Sequence, residues 1–232
     1  LASLDGPEFA PEQAAAEEIG SLLAKFRGNA SHAFDALKAS VSRLPDDVIE
    51  AAGLALGRRR RVVDFFRLLD ARQIQLYRTR IHGNYHLGSV LRVKSDYVII
   101  DFEADPSLPL SQRGAKQSPL KDIASMLRSF SYGVYATLLN YTARRPAELG
   151  NLIPWARLCE RGAAGAFLHA YRETLGPAEP FADGDSFRVL LQAYVMDKAL
   201  NELLYELDHR PAWVRIPLEG ILSLSLKARL LT

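Results

Sequence analysis

The chain has 232 residues, 48% hydrophobic and 24% charged, enough for one sizeable core or two small ones. Its 29 basic and 27 acidic residues leave a net charge of +2 and are mixed along the chain, which argues against a dedicated nucleic-acid or membrane surface. Cys159 is the single cysteine, so no internal disulfide can form. No apolar run reaches the roughly 18 residues of a membrane span and no signal or transit peptide opens the chain, so a cytoplasmic setting is expected.

The chain begins at Leu1 without an initiator Met, and its first segment enters a helix directly, as a piece cut from a longer chain would. Residues 11–27 read as a helix opened by Pro11 with Glu12 in its first turn. A second helix is expected over 31–43, ending before Pro45. A long third starts at Pro45-Asp46-Asp47, with Ile49, Ala52, Leu56, Val63 and Phe66 at helical spacing. The run Arg58-Arg59-Arg60-Arg61 points in nearly all directions on a helix, which favours a solvated face with local carboxylate partners.

Residues 80–103, RIHGNYHLGSVLRVKSDYVIIDFE, are the organising stretch. They read as a loop and then two short strands, Ser89 to Val93 and Tyr97 to Ile100, joined by a turn at Lys94-Ser95-Asp96. A hairpin returns its ends to one edge, so His82-Gly83-Asn84 and Ser89 can lie beside Asp101-Phe102-Glu103. Protein kinases place a base, an amide ligand five positions later and then a hairpin ending in a metal-binding Asp-Phe-Gly. Asn84, Ser89 and Asp101-Phe102-Glu103 occupy those positions here. Asp101 and Glu103 then offer carboxylate oxygens to magnesium, with Ser89 a weak third donor. His82, His86 and Asp101 could suggest zinc, but His-x3-His is a helical ligand spacing and this stretch reads as a loop.

After a Pro- and Ser-rich loop over 104–118, Ser118-Pro119 opens a helix with Ile123, Met126, Leu127, Phe130, Val134 and Leu138 on one face, and Asp122 lies in its first turn. Two further helices are expected near 151–174 and 184–208. In the second, Phe187, Leu191 and Tyr194 continue at roughly four-residue steps into Lys198, Glu202 and Tyr205, a buried stripe that turns polar halfway along. Arg210-Pro211 stops it, and Ile216-Pro217-Leu218 begins a last amphipathic helix. The fold class is therefore mainly α with a small β-hairpin.

The blocks RIHGNYHLGSVL, YVIIDFEADPSLPL, SPLKDIASMLRSF and DKALNELLYELDHRPAWVRIPLEGIL together resemble the maltokinases, of the aminoglycoside-phosphotransferase-like kinase group, often fused to trehalose synthase. That family usually has Asp where this chain has Asn84, and Gln where it has Ser89. The resemblance implies the C-terminal lobe of a protein-kinase-like fold whose N-terminal, nucleotide-holding lobe is absent from this chain. It divides the lobe into a helical segment over 1–75, a catalytic loop, hairpin and metal loop over 76–118, and a sugar-binding subdomain over 119–232. It also implies ATP as co-substrate through the other lobe, Mg2+, maltose or a related sugar as acceptor, and a possible trehalose synthase domain as partner.

By the same resemblance Asn84 stands at the catalytic-base position and His82 braces the loop. Asp122 is a candidate second brace, with an ordinary partner of the helix dipole as the alternative. His86, Lys198, Glu202 and Tyr205 become the sugar-contacting set, with an aromatic ring covering an apolar sugar face. The expected activity is ATP-dependent sugar phosphorylation by the parent protein, with none from the isolated lobe. The alternatives are a glucosamine-type amino-sugar kinase and a non-catalytic scaffold lobe, the latter favoured by Asn84 and Ser89.

Overall fold

In a computed structural model, residues 6–7, 9–70, 72, 74–102, 114–175 and 184–227 are described. They form a mainly helical structure with two small antiparallel sheets. The contacts divide the chain into two compact units: residues 1–11 with 79–183, and residues 12–78 with 184–232.

The second unit is built on helix α1, Ala16–Ser40. Sequence spacing predicts two helices here, split around Gly28. One continuous helix forms because the apolar stripe of Leu23, Phe26, Ala30, Phe34 and Leu37 runs unbroken into the core while Gly28 lies on the exposed face. The expected helical start at Pro11 is also corrected. Glu12–Gln13 form a short strand, β1, pairing with β2, Tyr77–Arg78, and the helix begins only at Ala16, whose preceding N–H is taken by Glu18 Oε2 at 2.9 Å. Glu18 also pairs with Arg78, which ties the strand pair to the helix start.

The long helix expected from Pro45 divides into α2, Asp46–Gly57, and α3, Arg59–Asp70. The break falls at Arg58, whose guanidinium reaches the Leu222 carbonyl at 2.7 Å and the Ser225 hydroxyl at 3.0 Å. Arg59 pairs with Asp35, and Arg60 with Asp64, so two of the four arginines have the carboxylate partners expected of them. The inward face is shifted from the predicted one: Val48, Ala55, Val62, Phe65 and Leu69 are buried beside Ala52 and Phe66, and Ile49 is exposed. Two later helices complete the unit, Gly184–His209 and Arg215–Lys227, numbered α6 and α7 in chain order. Helices α1, α3 and α6 meet at Phe26, whose ring lies 5.6 Å from Phe66 and 5.2 Å edge-on from Tyr194. Leu200, Leu203, Leu218 and Ile221 close the core.

In the first unit, β3, Val90–Val93, and β4, Asp96–Ile99, form the predicted hairpin, in the register Val90 to Ile99 and Val93 to Asp96. Its turn takes Lys94 at φ 57°. Helix α4, Leu120–Thr142, and helix α5, Leu149–Leu175, pack against each other. The predicted start at Ser118 holds, its hydroxyl accepting from the Leu120 N–H at 3.3 Å. No helix among the described residues is long and apolar enough to cross a membrane.

Candidate functional site

The loop 81–89 is held on three sides, each contact satisfying a backbone group that the irregular chain would otherwise leave unpaired. Asp122, in the first turn of α4, accepts the His82 N–H at 2.7 Å on Oδ2 and the Gly83 N–H at 2.9 Å on Oδ1. Gly83 has φ 86°, a left-handed conformation open to glycine at little cost, and this turns its N–H toward the same carboxylate as that of His82. Burial pushes the Asp122 carboxyl above its usual value despite the two N–H groups and Lys121 acting the other way. The same burial, with Asp122 nearby, pushes the Tyr85 phenol up.

His82 is buried and uses both ring nitrogens. Nε2 lies 2.8 Å from the Ile100 carbonyl, and Nδ1 lies 3.3 Å from the backbone N of Asn84. A carbonyl can only accept and an N–H can only donate, so the ring is the neutral tautomer protonated at Nε2. Its faces meet Tyr85 and Phe102, with centroids 5.6 and 4.8 Å away. One imidazole thus joins the loop carrying Asn84 to the end of β4, where Asp101 follows at φ 63°. A left-handed Asp is uncommon and costs strain unless its surroundings hold it. Asp101 is exposed, and Glu103 lies outside the described residues.

Ser89 is fully buried, and its hydroxyl closes a local ring with His86. It accepts the His86 N–H at 3.0 Å and donates to the His86 carbonyl at 2.7 Å. The His86 ring folds back so that Nδ1 accepts the Gly88 N–H at 3.0 Å. Gly88 is required by close approach, since a Cβ there would meet the ring at 2.9 Å. The Leu87 N–H bonds Ser129 on α4 at 3.0 Å, the third anchor.

Lys198, Glu202 and Tyr205 belong to the second unit, on one face of α6, while His86 belongs to the first. Along that face burial falls from Leu191 and Tyr194 through half-buried Lys198 and Glu202 to exposed Tyr205. The Tyr205 ring stacks on His209 at 4.3 Å, and Arg210 approaches both it and Trp213. Next to Lys198, Asp197 accepts from Asn29 of α1 at 2.9 Å and from Asn201 at 3.1 Å. Burial raises its carboxyl above the usual value. No group of three or more His, Cys, Asp or Glu side chains able to hold a metal occurs among the described residues.

No family model matches the chain. It is 31% identical over 137 residues to a glucosamine kinase of Streptacidiphilus jiangxiensis and 31% identical over 139 residues to one of Mycolicibacterium smegmatis. Each alignment takes in 59% of this chain, but only 29% and 32% of the relative. A solved glucosamine kinase in complex with glucosamine, ADP and inorganic phosphate superposes with a TM-score of 0.66 and 26% identity, over 92% of this chain and 46% of that one. A solved glucosamine kinase in crystal form A gives 0.67 at 26% identity, over 93% of this chain and 46% of that one. The chain thus spans about a third of the curated relatives it matches and about half of the solved chains. These relatives are named for glucosamine, so the similarity is to sugar kinases and extends over most of this chain's fold, while the maltokinase likeness stays a matter of the quoted motifs.

The resemblance offers His82 as a loop brace and Asp122 as a candidate second one, but the partners of these side chains are not legible in the sequence. Ile100 contributes only its backbone N–H and carbonyl and Ser129 only a hydroxyl, groups that no motif marks. Asn29 lies 168 positions from Asp197. The Asn201 contact, by contrast, follows from i, i+4 spacing.

Proposed function

We propose that this chain is the catalytic and sugar-binding lobe of an ATP-dependent sugar kinase, with an amino sugar of the glucosamine type as the favoured acceptor. The observation that carries the reading is the His82 imidazole, which fixes the Asn84 loop and the approach to Asp101 as one unit. The glucosamine kinase relatives favour the amino-sugar acceptor over maltose.

In this reading residues 76–118 carry the transfer chemistry, and His86, Lys198, Glu202 and Tyr205 contact the sugar. The exposed apolar side chains Leu91, Val93 and Val98, which share one side of the hairpin, give a nucleotide-holding lobe a face to pack on. The donor set is hard oxygen, from Asp101 with Glu103, which suits magnesium, a cation bound through one or two carboxylates plus phosphate oxygens. Bound there, the ion would neutralise charge on the transferring phosphoryl group. Ser89 acts as the strut of the loop, since its hydroxyl is engaged with the His86 backbone on both its donor and acceptor sides. Asn84 orients the acceptor hydroxyl but cannot take its proton, a loss of about 10²–10⁴-fold in rate.

The test is glucosamine-dependent ADP formation by the parent protein with magnesium, alongside maltose and an Asn84→Asp variant. The expected result is weak turnover with glucosamine that rises by about two to four orders of magnitude in the variant. Asn84 also supports a second reading, a lobe that binds sugar without transferring phosphate. Saturable sugar binding with both proteins silent in ADP formation would select it.

A further inference from the structure

Helix α5 presents an outward face that nothing else in the described residues covers. Of its 27 residues only Ala156 is buried. Its inner side is fixed to α4, where Glu160 accepts from the Ser131 hydroxyl and Phe167 lies 5.9 Å edge-on from Phe130. The outer side is thereby set. Along it Asn151, Trp155, Leu158, Gly162, Gly165 and His169 recur at alternating steps of four and three, the seam of a two-stranded helix pair. Trp155 is 66% exposed and Leu158 60%.

The seam is uneven in a way that selects its partner. Its first half is bulky, with Trp155 and Leu158, and its second half is bare, with Gly162 and Gly165, where an added Cβ would meet nothing within 4 Å. A parallel copy would set bulk on bulk and leave a gap beyond it. An antiparallel copy sets Trp155 over the partner's Gly165 and Leu158 over the partner's Gly162, and the same two contacts recur by symmetry. The patch is complementary to itself, as a two-fold interface must be.

We propose that this face is where a second copy of the chain docks, α5 against α5, antiparallel about a two-fold axis near residue 160. The seam from Asn151 to His169 is roughly 27 Å long and about 10 Å wide. That is small for a protein interface, below about 1,200 Å² in total, so the dimer is reversible and concentration-dependent.

Sedimentation of the full chain from low to high micromolar concentration tests this. The expected result is a monomer–dimer equilibrium that Trp155→Ala and Gly165→Leu each shift to monomer. A Cβ at position 165 meets nothing within 4 Å among the described residues, and Gly165→Leu replaces a poor helix former with a good one, so unchanged or raised helicity by circular dichroism separates lost docking from lost folding. Cys159, the only cysteine, lies about 3 Å along the axis from its copy in this register, so a short bis-maleimide should link two chains in the wild type and not in Gly165→Leu. A monomer at every concentration, or a dimer that survives Gly165→Leu, overturns the proposal. The first outcome would leave the face to another segment of the parent protein.

Discussion

The imidazole of His82 lies 2.8 Å from the carbonyl of Ile100, a bond that spans the whole hairpin between them. Ile100 also donates its N–H to the Ser89 carbonyl at 3.0 Å, so both backbone groups at the end of β4 are used to fasten the loop. The position of Asp101 relative to Asn84 is therefore set by one side chain and the strand pair rather than by either loop alone.

Replacing that side chain should loosen both segments together. His82→Ala leaves the partly buried Ile100 carbonyl and the Asn84 N–H without their His82 partner and removes the buried ring between Tyr85 and Phe102, a loss of about 2–4 kcal/mol. Hydrogen exchange should show amides 82–86 and 98–101 losing protection in parallel. Loss confined to the first group would show that the hairpin keeps its own position.

Asp122 makes a pH-dependent contribution whose sign follows from its raised carboxyl. The folded protein holds that proton more tightly than the unfolded chain does. The stability it contributes is thus fully present below the ordinary value of 3.8 and is lost as pH rises through the higher folded value. Comparing unfolding free energies of wild type and Asp122→Asn from pH 3 upward should give a difference curve that changes in this window and is flat above it. Asp197, raised by burial in the second unit, should behave in the same way in Asp197→Asn.

Gly88→Ala tests the fold-back of His86. The new methyl would meet the imidazole at 2.9 Å, so the ring must turn away and give up the Gly88 N–H. A cost of about 1–2 kcal/mol follows. If His86 contacts the sugar, KM for the acceptor should rise with kcat little changed. An unchanged KM would remove His86 from the sugar-contacting set.

At the end of α6, Arg210 grips Glu206 with two bonds, 2.9 Å from Nε and 2.7 Å from Nη2, and the carboxylate is 1% exposed. Arg210→Ala should lower stability by about 1–3 kcal/mol, moderated because the guanidinium itself is partly in solvent. Arg210→Lys should recover only part of this, since an ammonium cannot make the paired fork. Chemical denaturation of the three proteins measures both effects.

The sequence by itself determined the hairpin, the start of α4 at Ser118, the long helices α5 and α6, and the placing of His82, Asn84 and Asp101 on two ends of one hairpin. These are local matters, decided by alternation, turn residues and capping within a few positions. The tertiary structure alone decided that α1 is continuous, because a tertiary stripe outweighed a local glycine, and that Pro11 leads into a strand, because residues 77–78 lie alongside to pair with it. It also gave Ser89 its task and His82 its tautomer. Both depend on which carbonyl or N–H faces the side chain, and every residue carries those groups, so no pattern of residue types records them.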